Sequence, residues 1–180
     1  MSHVVILNGP AGVGKTTVAR TLAGKLPGTI NVSGDTLLTF SPRDVRNYLG
    51  PGSTYHAGAA LVRSYIEMRA PRVLFEYVFS RRQNIETFCR GLRPDTPVYV
   101  FTIWAPFEMV EQREATRPGR ERLGPRVLDT YQTLQHNLGE LGHVIHNTGP
   151  LDDTIAAIAD IIATGEVTPA GSFAPARSNA

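Results

Sequence analysis

The 180-residue chain predicts an α/β fold: a five-stranded parallel sheet with helices on both faces. Three observations carry this expectation. Short apolar runs alternate along the chain with longer helical patterns. The runs are continuous rather than alternating apolar and polar, as in strands buried on both faces. The first of them leads through a glycine-rich turn into a helix.

In order, Val4 to Leu7 reads as a buried strand ending at Asn8-Gly9, and Thr16 to Leu26 as a helix stopped by Pro27-Gly28. Thr29 to Val32 is a second short strand. Ser53 to Ala70 carries Leu61, Val62, Tyr65 and Ile66 on one stripe and closes at Pro71. Arg72 to Phe79 reads as a third strand, after which Ser80 and Gln83 form a capping box for a helix bearing Ile85, Phe88 and Cys89. Pro97 to Trp104 is rich in Val, Ile and aromatic residues and predicts a fourth strand. Pro106 opens a helix with Glu108 in its first turn. Pro125 opens another, in which Val127, Leu128, Tyr131, Leu134 and Leu138 share a face. His143 to His146 is the fifth strand and Pro150 to Ala163 the last helix. Residues 1–164 are thus expected to form one domain. Residues 165–180, mostly Gly, Pro, Ala and Ser, read as a disordered tail.

Composition narrows the function classes. The formal charge is +2, and Lys15 and Lys25 are the only lysines among 18 basic residues. Without runs of basic residues a nucleic-acid partner is not expected. Cys89 is the single cysteine, which excludes an intrachain disulfide and a multi-thiolate metal site. No segment reaches the length of a membrane helix and the N-terminus has no signal-peptide pattern, so a cytoplasmic location is the expectation. His143 and His146 are three apart on a strand, point to opposite faces, and cannot share a metal.

The strongest motif is Gly9-Pro10-Ala11-Gly12-Val13-Gly14-Lys15-Thr16, followed by Thr17, which fits G-x-x-x-x-G-K-[ST] between a strand and a helix. Glycines let the backbone N–H groups turn inward around phosphates, and the following helix adds the positive end of its dipole. Lys15 is placed to reach the β- and γ-phosphates of ATP and Thr16 to ligate Mg²⁺.

Two acids stand at strand ends. Asp35 follows the second strand, where a carboxylate either takes the proton of an attacking hydroxyl or caps the next helix. Glu76 interrupts an apolar strand and therefore needs a cation or donor. It would serve Mg²⁺ or grip the substrate, or pair with an arginine on an incompletely covered face. Arg113, Arg117, Arg120, Arg122 and Arg126 crowd a Gly/Pro-interrupted segment that reads as a closing lid. Arg113 and Arg117 share a helical face, and Arg117 and Arg120 are candidates to stabilise transferring phosphate. A solvated loop pairing with Glu111, Glu114 and Glu121 is the alternative. Arg43, Arg46, Tyr48, Tyr55, His56 and Arg63 lie between strands two and three, the place for an acceptor pocket, and Arg46 is the candidate substrate ligand there. Asn147-Thr148-Gly149-Pro150 either passes a nucleotide base or caps the last helix.

On the segment Ile6 to Thr16, Asp35, the strand-three acid and Glu111 to Arg120, the chain resembles small P-loop kinases, most of all the chloramphenicol phosphotransferase-like group. Tunicamycin-resistance proteins look nearly as similar. The resemblance implies a P-loop NTPase fold, ATP and Mg²⁺, transfer of the γ-phosphoryl group to a hydroxyl of a small molecule such as an antibiotic, and Asp35 as the base. Strand three carries a single Glu76 where the family tends to show Asp, and residues 36–70 match no acceptor pocket of the family. A nucleoside or nucleotide kinase, a nucleic-acid 5′-hydroxyl kinase, and an ATPase or nucleotide switch acting on a protein remain the alternatives.

Overall fold

Continuous apolar runs become parallel strands because both of their faces are covered. The computed structural model describes residues 2–41, 45, 48–116, 124–165 and 167–173. Five parallel strands, β1 (His3–Asn8), β2 (Thr29–Ser33), β3 (Arg72–Glu76), β4 (Pro97–Trp104) and β5 (His143–His146), lie in the order β2-β3-β1-β4-β5. Val4 to Leu7 in the central strand and Val73 to Phe75 beside it are wholly buried. The helices between them are α1 (Lys15–Lys25), α2 (Gly34–Thr39), α3 (Ser53–Glu67), α4 (Arg82–Cys89), α5 (Phe107–Ala115), α6 (Arg126–Asn137) and α7 (Leu151–Thr164). The strand order reverses about β1, so its carboxyl end opens between β3 and β4, where such sheets bind ligands. Among the described residues no helix is long and apolar enough to cross a membrane.

Close packing on one face depends on small residues. A Cβ at Gly58 of α3 would stand 2.5 Å from the ring of Phe75, so only glycine lets the helix lie against β3. Phe75 stacks on Phe88 of α4 with ring centroids 4.7 Å apart, and Phe79 packs edge-on to both. Cys89 lies in the same core, and burial pushes its thiol up to about 12, leaving it inert as a nucleophile. On the face that Phe75 shares, at the end of β4, Tyr131 stacks on Trp104 at 4.5 Å and donates its hydroxyl hydrogen bond to the Ala105 carbonyl at 3.1 Å. This pair anchors α6 over the end of β4.

Four local expectations change. First, β3 stops at Glu76 instead of running to Phe79. The Asn8 side chain donates to the Phe79 carbonyl at 3.0 Å and accepts from the Phe79 N–H at 2.7 Å. It thereby replaces a strand partner and draws the chain over the top of β1. Second, the cap of α4 is set one residue later. Asn84 Oδ1 accepts from the Arg81 N–H at 3.0 Å and the Ser80 hydroxyl at 3.3 Å, and Gln83 takes no part in the box. Third, Leu128 is 41% exposed, because the buried stripe of α6 runs through Val127, Tyr131 and Leu134.

The fourth change concerns the segment expected as a tail, and it adds a sixth strand to the sheet. Thr168–Pro169 forms β6, antiparallel to Pro97–Val98 of β4. The Ala170 N–H donates to the Thr96 carbonyl and the Gly171 N–H to the Pro94 carbonyl, each at 2.9 Å, and Ala170 is buried. Small residues, which read as unstructured by composition, here permit close approach to the sheet's edge. Residues 174–180 lie outside the described residues.

Replacing glycine by alanine inside an exposed helix ordinarily stabilises by about 1 kcal/mol. At Gly58 the sign should reverse: Gly58→Ala forces its methyl into the Phe75 ring and should cost about 1–3 kcal/mol in urea denaturation. A variant as stable as the parent would contradict this packing.

Candidate active site

The loop between β1 and α1 has a backbone that favours glycine. Gly9, Gly12 and Gly14 have φ of 141°, 83° and 103°. A Cβ at Gly9 would meet the Ile103 carbonyl, one at Gly12 the Val110 carbonyl, and one at Gly14 the Asn147 amide 2.8 Å away. Ala11, Gly12, Gly14, Lys15, Thr16 and Thr17 line a cavity of about 500 Å³ at the carboxyl end of the sheet. Gly9, Pro10 and Val13, the other residues of the motif, are buried and do not line it. Lys15 Nζ donates to the Gly9 and Pro10 carbonyls, both at 2.9 Å, so its ammonium arches over the loop. Gly14 caps α1 in a left-handed conformation, and the helix N-terminus, Lys15 to Thr17, lies at this cavity with the positive end of its dipole.

Glu76 is the buried anion of the site, 4% exposed at the last residue of β3 and in register with Leu7 on one side and Ser33 on the other. Thr16 Oγ1 donates to Glu76 Oε2 at 2.9 Å. Burial raises the Glu76 pKa above the usual carboxylate range. Bonds from Thr16 and Ser33 and the charge of Lys15 oppose the rise, while the charge of Asp35 adds to it. A carboxylate and a threonine hydroxyl in hydrogen-bond contact, open to the loop, are the hard oxygen donors that Mg²⁺ prefers. The residues present fit that ion. His143 and His146 are both exposed, and no cluster of three or more His, Cys, Asp or Glu among the described residues would hold a metal by itself.

Asp35 lines the same cavity, exposed in the first turn of α2. The N-cap is Ser33, so Asp35 does not occupy the capping position. The ring of Tyr77 covers the preceding residue, Gly34; a Cβ at Gly34 would collide with that ring. The Ser33-Gly34-Asp35 turn is thus shaped by the residue that follows Glu76.

Arg113 of α5 also reaches the cavity. Its guanidinium donates to the Asn147 carbonyl at 3.1 Å and the Val13 carbonyl at 3.4 Å. Asn147 donates its amide to Val13 at 2.8 Å, accepts from the Thr154 hydroxyl at 3.0 Å, and donates its backbone N–H to Trp104 at 2.8 Å. Asn147 therefore binds the loop to α7 and β4, and its neighbours Gly149 and Leu151 line the cavity.

Lys15, Thr16, Thr17, Asp35, Glu76 and Arg113 are accordingly brought together. Arg117 and Arg120, like Arg122, lie outside the described residues, as do Arg43 and Arg46. Arg126 is exposed at the start of α6. On α3, His56 is exposed and Arg63 faces Glu67 at 3.8 Å. Sequence reading missed Tyr77, Val78 and Thr130 as lining residues. The one available signal was Gly34, since a glycine beside a candidate base marks close approach by another group.

Glu76 also makes stability depend on pH. Because its folded pKa is raised, the wild-type protein loses stability as pH rises from the ordinary glutamate range through the raised value. Glu76→Gln removes that loss. The variant should have a higher urea midpoint than wild type at neutral pH, with the gap closing in acid. A lower midpoint at neutral pH would show that Thr16, Ser33 and Lys15 outweigh the burial.

Comparison with known proteins agrees with this fold. The fold is similar to that of a sugar kinase from a Janibacter species, with a TM-score of 0.68, 18% identity, and coverage of 98% of this chain and 100% of that one. It is similar to the tunicamycin resistance protein of Deinococcus radiodurans, at 0.67 and 21% identity over 94% and 99% of the two chains. It also resembles the shikimate kinase of Bacteroides thetaiotaomicron, at 0.61 and 13% identity over 89% and 98%. No curated protein sequence matches the chain. The sequence profile of the AAA domain family matches residues 4–136, a span holding the phosphate loop, both acids and Arg113, and the chain belongs to that family.

Proposed function

We propose that the protein is an ATP-dependent phosphotransferase that moves the γ-phosphoryl group of ATP to a hydroxyl of a small molecule. The observation that carries this reading is the gathering of Lys15, Thr16, Asp35, Glu76 and Arg113 around one cavity at the loop. A nucleotide-binding loop alone needs only the first two. A carboxylate such as Asp35, exposed at the mouth of the cavity, has its use where a second substrate gives up a proton.

In this reading the loop amides and Lys15 bind the β- and γ-phosphates, and Lys15 leaves the Gly9 and Pro10 carbonyls to do so. Thr16 and Glu76 hold Mg²⁺, which when bound neutralises charge on the phosphates. Glu76 also bounds the acceptor side of the cavity. Asp35 accepts the proton of the acceptor hydroxyl as its oxygen bonds to the γ-phosphorus and the bond to the β-phosphate oxygen breaks. Arg113 orders the loop by holding Val13 and Asn147, and adds positive charge beside the phosphates. Arg117 and Arg120 complete the charge on the transferring group, and Arg46 contacts the acceptor.

The likeness to a tunicamycin resistance protein, together with the resemblance to the chloramphenicol phosphotransferase-like group, makes antibiotics a class to include among acceptors. A cytoplasmic location, where ATP is abundant, belongs to the same proposal.

Asp35→Asn should lower ATP-dependent phosphoryl transfer by about 10²–10⁴-fold while leaving ATP affinity within a few-fold, measured by ATP consumption against a panel of alcohols and by calorimetry. Lys15→Ala should weaken ATP binding itself. Unchanged turnover in Asp35→Asn with ATP still bound removes Asp35 from the role of base.

A further inference from the structure

A second cavity of about 340 Å³ adjoins the phosphate cavity; Tyr77, Val78 and Thr130 line both. We propose that this second cavity is the acceptor subsite and that it takes a polyol bearing a protonated amine, such as an amino sugar or aminocyclitol, recognised by Asp129. The inference rests on the phosphotransferase reading and names the substrate class for it.

Its walls come from elements the fold has already fixed. Tyr55 of α3 donates its hydroxyl to the Val78 carbonyl at 2.8 Å, and its ring meets Tyr77 edge-on at 5.6 Å. Desolvation raises the Tyr55 pKa, so this hydroxyl keeps its proton and the bond to Val78. The two rings give apolar faces of the kind that pack against the C–H face of a sugar ring and attract an ammonium group.

Two of the hydroxyls around these rings have already committed their protons. The Thr133 hydroxyl donates to the Asp129 carbonyl at 2.9 Å, and the Ser80 hydroxyl donates to Asn84 at 3.3 Å. Both oxygens therefore present lone pairs to a ligand. Asp129 adds a carboxylate, and none of the ion pairs among the described residues involves it. A cavity rich in acceptors suits a ligand rich in O–H and N–H donors.

Charge points the same way. Among the described residues lining the two cavities, the cations are Lys15 and Arg113, both bonded to loop carbonyls at the phosphate end. Asp35, Glu76 and Asp129 bring negative charge toward the acceptor side, against which Arg46, proposed above as an acceptor contact, sets a single cation. A carboxylate- or phosphate-bearing acceptor would enter against these acids, whereas an ammonium would be drawn in.

The test uses the full chain with ATP and Mg²⁺ and matched probes: glucosamine and streptamine as amino-polyols, glucose and inositol as neutral ones, and gluconate as the anion. Phosphoryl transfer is followed by ATP consumption, and equilibrium binding by calorimetry with a non-hydrolysable ATP analogue. An amino-polyol should be favoured over its neutral counterpart by about tenfold, and over gluconate by more. Asp129→Asn should reduce the first ratio to about twofold, and Asp129→Lys should turn the preference toward gluconate. If amino-polyols bind selectively in an Asp129-dependent way and none is phosphorylated, the subsite stands and the phosphotransferase reading fails. If transfer occurs with no charge preference, or the preference survives Asp129→Lys, the subsite is overturned while that reading stands. Failure of both amino-polyols to bind overturns the subsite as well.

Discussion

The arrangement of this molecule depends on keeping one carboxylate inside it. Glu76 ends a strand whose preceding three residues are wholly buried, and its own side chain is 4% exposed. A charge in such a place is unfavourable unless donors and cations meet it. Lys15 and Thr16 do so from the start of α1 and Ser33 from the end of β2. Satisfying Glu76 therefore fixes the first turn of α1, the end of β2 and the phosphate loop relative to β3. The same requirement leaves hard oxygen donors at the place, of the kind that suit a divalent cation.

Two asparagines do for the backbone what these donors do for the carboxylate. Asn8, fully buried, supplies the partners that Phe79 would otherwise find in a longer strand, and shares a hydrogen with Thr102 on β4. Because it ends the ladder there, Tyr77 and Val78 emerge over the sheet as walls common to both cavities. Asn147 answers from the other side, tying Val13 of the loop to β4 and α7. Buried amides of this kind are unfavourable if half-satisfied and rigidifying if fully satisfied. The loop is thus tied to the sheet and to α7 by side chains outside it.

Much of the fold was legible because it follows from local rules. Buried parallel strands read as unbroken apolar runs, and proline and glycine mark where helices start and stop. The boundaries that moved did so for different reasons: Asn8, far away in the chain, for the end of β3, the neighbouring Asn84 for the start of α4, and the free backbone edge of β4 for residues 168–169. No periodicity in 77–80 or 165–173 signals those contacts, since Phe79 lies 71 residues from Asn8 and residues 168–169 pair with residues 97–98.

The sequence by itself determined the phosphate loop and the presence of an acid at each of two strand ends, because a glycine backbone, a lysine and a hydroxyl at fixed spacing have few other uses. It could not determine which acid is enclosed and which is exposed. Register decided that: Glu76 lies between Leu7 and Ser33 in the sheet, whereas Asp35 stands one turn into a helix at the cavity's mouth. Nor could it bring Tyr55, Tyr77 and Asp129, drawn from three separate segments, around a common cavity. Adjacency across the sheet is a property of the folded packing, and the character of the second cavity arises there.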